Sequence, residues 1–128
     1  ITTIYEGTTG IQANDLVGRK ILRDRGAALA ALLADLRAAD AELAPHAGLA
    51  TIRTALADGV AAVEAAARWL AAHAADDAAT PGAVSWHFLM LLGVVTGGWQ
   101  LGRAAAIATR RLAEGAADRA FLEAKILT

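Results

Sequence analysis

The chain of 128 residues is long enough for one domain with a sizeable core. It is 56% hydrophobic, with Ala the main contributor and aromatics only 5%, and its net charge is −1. Ten Arg and two Lys are scattered among 13 acids, which excludes the basic stripe of a nucleic-acid binder, and the absence of Cys excludes disulfides, thiolate metal sites and cysteine nucleophiles. A cysteine-free chain suits a reducing compartment, and a cytoplasmic location is expected. Ala is the best helix former, only Pro45 and Pro81 interrupt the chain, and runs of alternating β-branched residues are missing. The expected fold is all-α, an antiparallel up-and-down bundle of four to five helices.

In chain order, residues 1–8 are expected to be extended or loop. A first helix is expected from Thr9 to near Gly26, opened by the Thr9-x-x-Gln12 spacing of a capping box and closed by Gly26 as a C-cap. Asp15 with Arg19 and Lys20 with Asp24 are four apart and support this helix from outside. The second helix, 27–43, carries Leu29, Leu32, Leu33, Leu36 and Leu43 on one stripe; Pro45, His46 and Gly48 make the connection after it. The third, 49–76, repeats Ile52, Leu56, Val60, Val63, Ala67 and Leu70 at three- and four-residue intervals. Residues 76–82, centred on Thr80-Pro81-Gly82, read as a breaker before a fourth helix over 84–113. Gly115 separates that helix from a short fifth over 116–127.

No charged residue occurs from Ala78 to Gly102, a length that reaches the roughly 20 residues of a membrane span. Pro81 and Gly82 shorten the window, and Ser85, His87, Thr96 and Gln100 are polar. The amphipathic neighbours each need a partner for their apolar faces, so the stretch is read as a buried central helix and no membrane partner is expected. Its Gly93-x-x-x-Gly97 and Gly98-x-x-x-Gly102 spacings mark tight contact with another helix or another subunit. His46, His73 and His87 lack metal-ligand spacing, so no metal is expected, and Trp69, Trp86 and Trp99 are read as bulky anchors in an Ala-rich core.

The N-terminus carries the chemistry. Glu6 lies on a Gly-containing turn just before the proposed helix start, where the helix field and fixed backbone can aim a general base. The run Ile4-Tyr5-Glu6-Gly7-Thr8-Thr9-Gly10-Ile11-Gln12 resembles the active-site segment of the acyl-CoA dehydrogenases, Tyr-Glu-Gly-Thr-x-x-Ile-Gln. The continuation 13–20 and the later stretch Phe88 to Gly93 with Gly97-Gly98-Trp99 resemble the branch with a longer C-terminal helical extension, which includes methylmercaptopropionyl-CoA dehydrogenase-like proteins. Gly10 stands where many members carry a polar side chain, and Ala13 where many carry Arg.

The resemblance implies that Glu6 abstracts the α-proton of an acyl-CoA thioester while hydride leaves the β-carbon for the flavin. That chemistry needs a desolvated carboxylate of raised pKa beside a polarised carbonyl, because the α-proton is weakly acidic. It further implies that Gly7 and Tyr5 border the substrate and that Thr8, Thr9 and Gly10 contact FAD. Residues 1–25 then form the active-site Glu segment and first helix of the catalytic bundle, and 26–128 the helical extension of a longer polypeptide. The expected partners are acyl-CoA, the rest of the parent enzyme and further copies in a dimer or tetramer. FAD is expected to be held by the parent and not by these 128 residues alone. The competing reading is a helical module for oligomerisation or docking that contributes no chemistry.

Overall fold

The computed structural model describes residues 2–127, with side chains from Thr8 onward. Among these, five α-helices and no strand are present: α1 Thr2–Asp15, α2 Ala27–Leu43, α3 Ala50–His73, α4 Thr80–Ala113 and α5 Arg119–Leu127. The short links between α2, α3, α4 and α5 fold consecutive helices back on one another, and each of α1, α2, α3 and α5 packs on α4. The all-α bundle follows from composition and periodicity as expected.

Helix boundaries show where local signals prevail. Gly26 has φ 76 and its N–H donates to the Ile21 carbonyl at 2.8 Å, the left-handed stop expected of it. Before that stop the chain is π-helical over Leu16–Arg23, a widened turn that keeps both Val17 and Ile21 buried. Gly115, with φ 81, separates α4 from α5 in the same way. Pro81 does not break the chain: it falls in the first turn of α4, where a missing N–H costs nothing, so the break comes earlier, over 74–79.

Asp15 pairs with Arg19 at 2.7 Å as the spacing predicts, but Lys20 also leans towards Asp15, at 3.6 Å. Asp24 is occupied otherwise. Its carboxylate accepts the N–H of Gly26 at 2.8 Å and of Ala28 at 3.0 Å, capping the start of α2.

The core is aliphatic. Leu29, Leu33, Leu36 and Leu43 of α2 meet Leu56, Val60, Val63 and Leu70 of α3 and Phe88 and Val95 of α4. Two glycines set how closely α3 and α4 approach. A Cβ at Gly59 would lie 2.9 Å from Val95 Cγ2, and one at Gly102 would lie 3.1 Å from Ile52 Cγ2. At both positions a side chain would displace a packed, branched neighbour.

The expectation that α4 is a buried central helix holds for one side along its length and for the other only near its C-terminal end. Phe88, Val95, Gly102, Ala105 and Ala106 face the core, whereas Val94 is 69% exposed, and Trp86, Met90 and Leu101 are each about half exposed. Trp69 is likewise about half exposed and stacks on His73, so of the three tryptophans only Trp99 packs against the core. The helix is apolar all round because its two faces have different neighbours. The bundle covers the inner one throughout and the outer one only further along, where α5 packs and Ala108, seven residues after Leu101, is 2% exposed.

Candidate active-site segment

The segment that resembles the dehydrogenase motif begins inside α1, not ahead of it. The helix runs from Thr2, so the backbone of 2–8 is helical where a loop was expected, and Thr9-x-x-Gln12 lies in a helix interior instead of capping a start. The physical reason is the absence of a stop. No proline lies between Thr2 and Asp15, and Gly7 and Gly10 weaken a helix by about 1 kcal/mol each without ending it. Glu6 therefore sits beyond the first turn, and the helix N-terminus expected beside it lies at Thr2. The side chains of Tyr5 and Glu6 and the surroundings of Gly7 lie outside what is described.

The part of the motif that is described faces outward. Thr8, Gly10, Ile11 and Gln12 are exposed, Thr9 is half-buried, and the space around a Cβ placed on Gly10 is open to 4 Å. Ile11, at 66% exposure, is a large apolar side chain beside that open space.

What fixes α1 is its other side. Ala13 and Val17 are buried in the bundle. The hydroxyl of Ser85, itself 3% exposed, donates to Asn14 Oδ1 at 2.8 Å or to the Gly82 carbonyl at 2.9 Å, joining α1 to the first turns of α4. Ala13, where a larger residue is common in the resembling family, is fully buried here. Sequence reasoning missed both the Asn14–Ser85 link and the Asp24 cap. The cap had a signal, Asp two residues before Gly26 and an apolar-periodic run; the link, 71 residues apart, had none.

The rest of the bundle offers no competing catalytic cluster among the described residues. No group of three or more His, Asp or Glu could hold a metal ion. His73 Nδ1 lies 2.8 Å from the Trp69 carbonyl in the last turn of α3, and His87 is an exposed neighbour of Trp86. Arg37 with Glu64 and Arg103 with Glu42 are exposed interhelical pairs. Asp40 takes two hydrogen bonds from Arg53, at 2.8 and 3.0 Å, which hold its carboxyl below the ordinary value and raise the guanidinium. Exposed pairs of this kind contribute little.

An apolar groove of about 430 Å³ runs between α3, α4 and α5, its lining including Gly59, Val94, Gly98, Leu101, Gly102 and Lys125. It contains no carboxylate, nucleophile or described α1 residue. The groove thus adds no candidate catalytic group among the described residues.

Comparison with known proteins points the same way as the motif. The 3-methylmercaptopropionyl-CoA dehydrogenase of Ruegeria pomeroyi is 46% identical over the whole chain. The broad-specificity linear acyl-CoA dehydrogenase FadE5 of Mycobacterium tuberculosis is 38% identical over 98% of it. In each case the alignment covers 22% of the relative, so the chain spans about a fifth of the length of these curated relatives. No solved structure matches. Residues 12–128 match the family model described as acetyl-CoA dehydrogenase C-terminal like. The chain belongs to that family, the acyl-CoA dehydrogenase C-terminal-like proteins.

Proposed function

We propose that this chain is the part of an FAD-dependent acyl-CoA dehydrogenase that carries the catalytic base, and that Glu6 is that base. The observation that carries the reading is the Tyr5-Glu6-Gly7-Thr8-x-x-Ile11-Gln12 pattern, in a chain similar to a 3-methylmercaptopropionyl-CoA dehydrogenase and a linear acyl-CoA dehydrogenase. The family model begins at Gln12, so the motif supports the assignment separately from it.

In this reading Glu6 takes the α-proton of an acyl-CoA thioester. Gly7, without a side chain, lets the thioester approach α1, and Tyr5 borders the acyl group. The hydroxyls of Thr8 and Thr9 and the open backbone at Gly10 are suited to polar contacts with a flavin: two hydroxyls and an uncovered helix surface lie within three consecutive residues. FAD, when bound, accepts the hydride from the β-carbon. The bundle supports this by holding α1 at a fixed place through Ala13, Val17 and the Asn14–Ser85 link. One helix cannot surround both a flavin and an acyl-CoA, so the remaining walls belong to the rest of the polypeptide. The 128-residue chain alone is expected to be inactive.

Full-length protein purified without added cofactor tests the assignment. It is expected to be yellow, with a flavin band at about 450 nm that bleaches on anaerobic addition of an acyl-CoA. A colourless protein, or a flavin band untouched by straight-chain, branched and methylthio-substituted acyl-CoAs, contradicts it. The reading as a docking or oligomerisation module is supported by the exposed apolar face of α4 and is compatible with Glu6 acting as the base.

A further inference from the structure

The turn between the π-helical segment Leu16–Arg23 and α2 carries a residue of the wrong kind for its backbone. Gly26 N–H donates to the Ile21 carbonyl at 2.8 Å and Arg25 N–H to the Leu22 carbonyl at 3.4 Å, the nested pair of bonds that closes a helix. The donor of the inner bond is left-handed in such a turn and is usually glycine. Here it is Arg25, with φ 56, the one non-glycine of positive φ among the described residues. A Cβ strains that conformation, and strained residues of this kind cluster at ligand clamps and active sites.

Arg25 lines a groove of about 500 Å³ between Leu16–Arg23, α2 and α3. That volume is within the range of about 300–1,000 Å³ usual for small-ligand sites. The lining is aliphatic at Ile21, Leu29 and Leu33, which are buried, and small at Ala30, Ala67 and Ala71. Three arginines, Arg25, Arg37 and Arg68, and a single carboxylate, Glu64, line the same groove. Arg37 pairs with Glu64. The exposed side chains of Arg25 and Arg68 have no hydrogen-bond or ion-pair partner among the described residues, so two positive charges are left unanswered. A neighbouring groove between α2 and α3 has the opposite balance. Its two cations, Arg37 and Arg53, are matched one for one by Glu64 and Asp40.

We infer that the groove lined by Arg25 and Arg68 binds a small amphiphilic anion, a carboxylate or phosphate at the end of a hydrocarbon chain. The two guanidiniums supply forked donors for the anionic head, and Ile21, Leu29 and Leu33 supply the contact for the chain. Charge complementarity selects this occupant. An uncharged apolar guest leaves both arginines unanswered, and a purely hydrophilic anion leaves the aliphatic lining uncovered. Glycine at position 25 would close the turn without strain but remove one of the two donors, which accounts for an arginine at a glycine position.

Photolabelling of the full-length protein tests this with a diazirine-bearing decanoate, kept below its micelle concentration and read by peptide mass spectrometry. The measurement uses neither flavin reduction nor acyl-CoA, so its outcome is separate from that of the flavin test. Label is expected in the peptides that contain residues 21–33 and 67–71, and both decanoate and decyl phosphate are expected to displace it. Arg25→Gly, which the left-handed turn accommodates, and Arg68→Ala are each expected to cut that labelling at least about threefold. Arg111→Ala, which removes an exposed cation of α4 outside the groove, is expected to leave it unchanged. Absence of label from those peptides, or equal labelling in Arg25→Gly and the parent, overturns the inference. So does equal displacement by decyltrimethylammonium, which would reduce the groove to an apolar surface. Label that enters those peptides only when anionic lipid vesicles are present also overturns it, by assigning the two arginines to a membrane.

Discussion

The inner and outer faces of α4 are built from the same residue types and differ in what surrounds them. Inside, Phe88 and Val95 are almost fully buried, and Gly102 lets Ile52 and Leu43 come close. Outside, Trp86, Met90, Val94 and Leu101 are exposed, and Gly93 and Gly97 have open space where a side chain would stand. Residue type alone therefore does not tell a buried face from an exposed one. The neighbours of each glycine do, because a glycine in a helix is costly unless something approaches it.

That contrast is broken most forcefully from the inside. Phe88→Ala is expected to destabilise the bundle by about 3–5 kcal/mol, whereas Val94→Ala should change the stability of the 128-residue chain by no more than about 0.5 kcal/mol, both by denaturant titration. Comparable losses at the two positions would mean that the outer face is packed after all. Gly102→Leu comes next: it forces Ile52 and Leu43 apart and should cost about 1–3 kcal/mol. The sign reverses for Gly93→Ala and Gly97→Ala in the 128-residue chain, each expected to stabilise by up to about 1 kcal/mol because the added methyl meets open space. A loss in either would show a neighbour within the bundle.

Smaller still is the effect of the Asp40–Arg53 pair on the bundle's surface. The Arg53 hydrogen bonds lower the Asp40 pKa, so the pair's contribution is fully present above the ordinary carboxylate value of 3.8 and is lost as pH falls through the lowered folded value. A thermal midpoint measured from pH 6 down to below pH 3 should fall slightly less steeply in Asp40→Asn than in the parent. Because both groups are exposed, about 1 M salt should nearly remove that difference.

The bundle was largely legible in the sequence. The leucine stripe over 27–43 gave α2 its observed bounds, and Gly26 and Gly115 marked left-handed stops because only glycine adopts them without strain. What was misread was conditional on context. Pro81 serves as a helix breaker or a helix starter depending on which turn it occupies, and Thr9-x-x-Gln12 has the same spacing in a helix interior as at a cap. The burial of α4 was overestimated for a similar reason: an apolar face is satisfied by any apolar neighbour, and periodicity does not say whether that neighbour lies within these residues. The motif around Glu6 was legible only as a pattern, since a carboxylate, two threonines and two glycines have no periodicity that marks a site. The Asn14–Ser85 contact, which ties that segment to α4, joins residues too far apart in sequence for any local signal.

The proposed function depends most directly on Glu6. In the full-length protein, Glu6→Gln keeps the size of the side chain and removes its basicity. Flavin reduction by a saturating acyl-CoA, followed at about 450 nm in a stopped-flow instrument, is predicted to slow on the order of 10³-fold with FAD content and acyl-CoA binding unchanged. Reduction at the parent's rate in Glu6→Gln would contradict the assignment of the base.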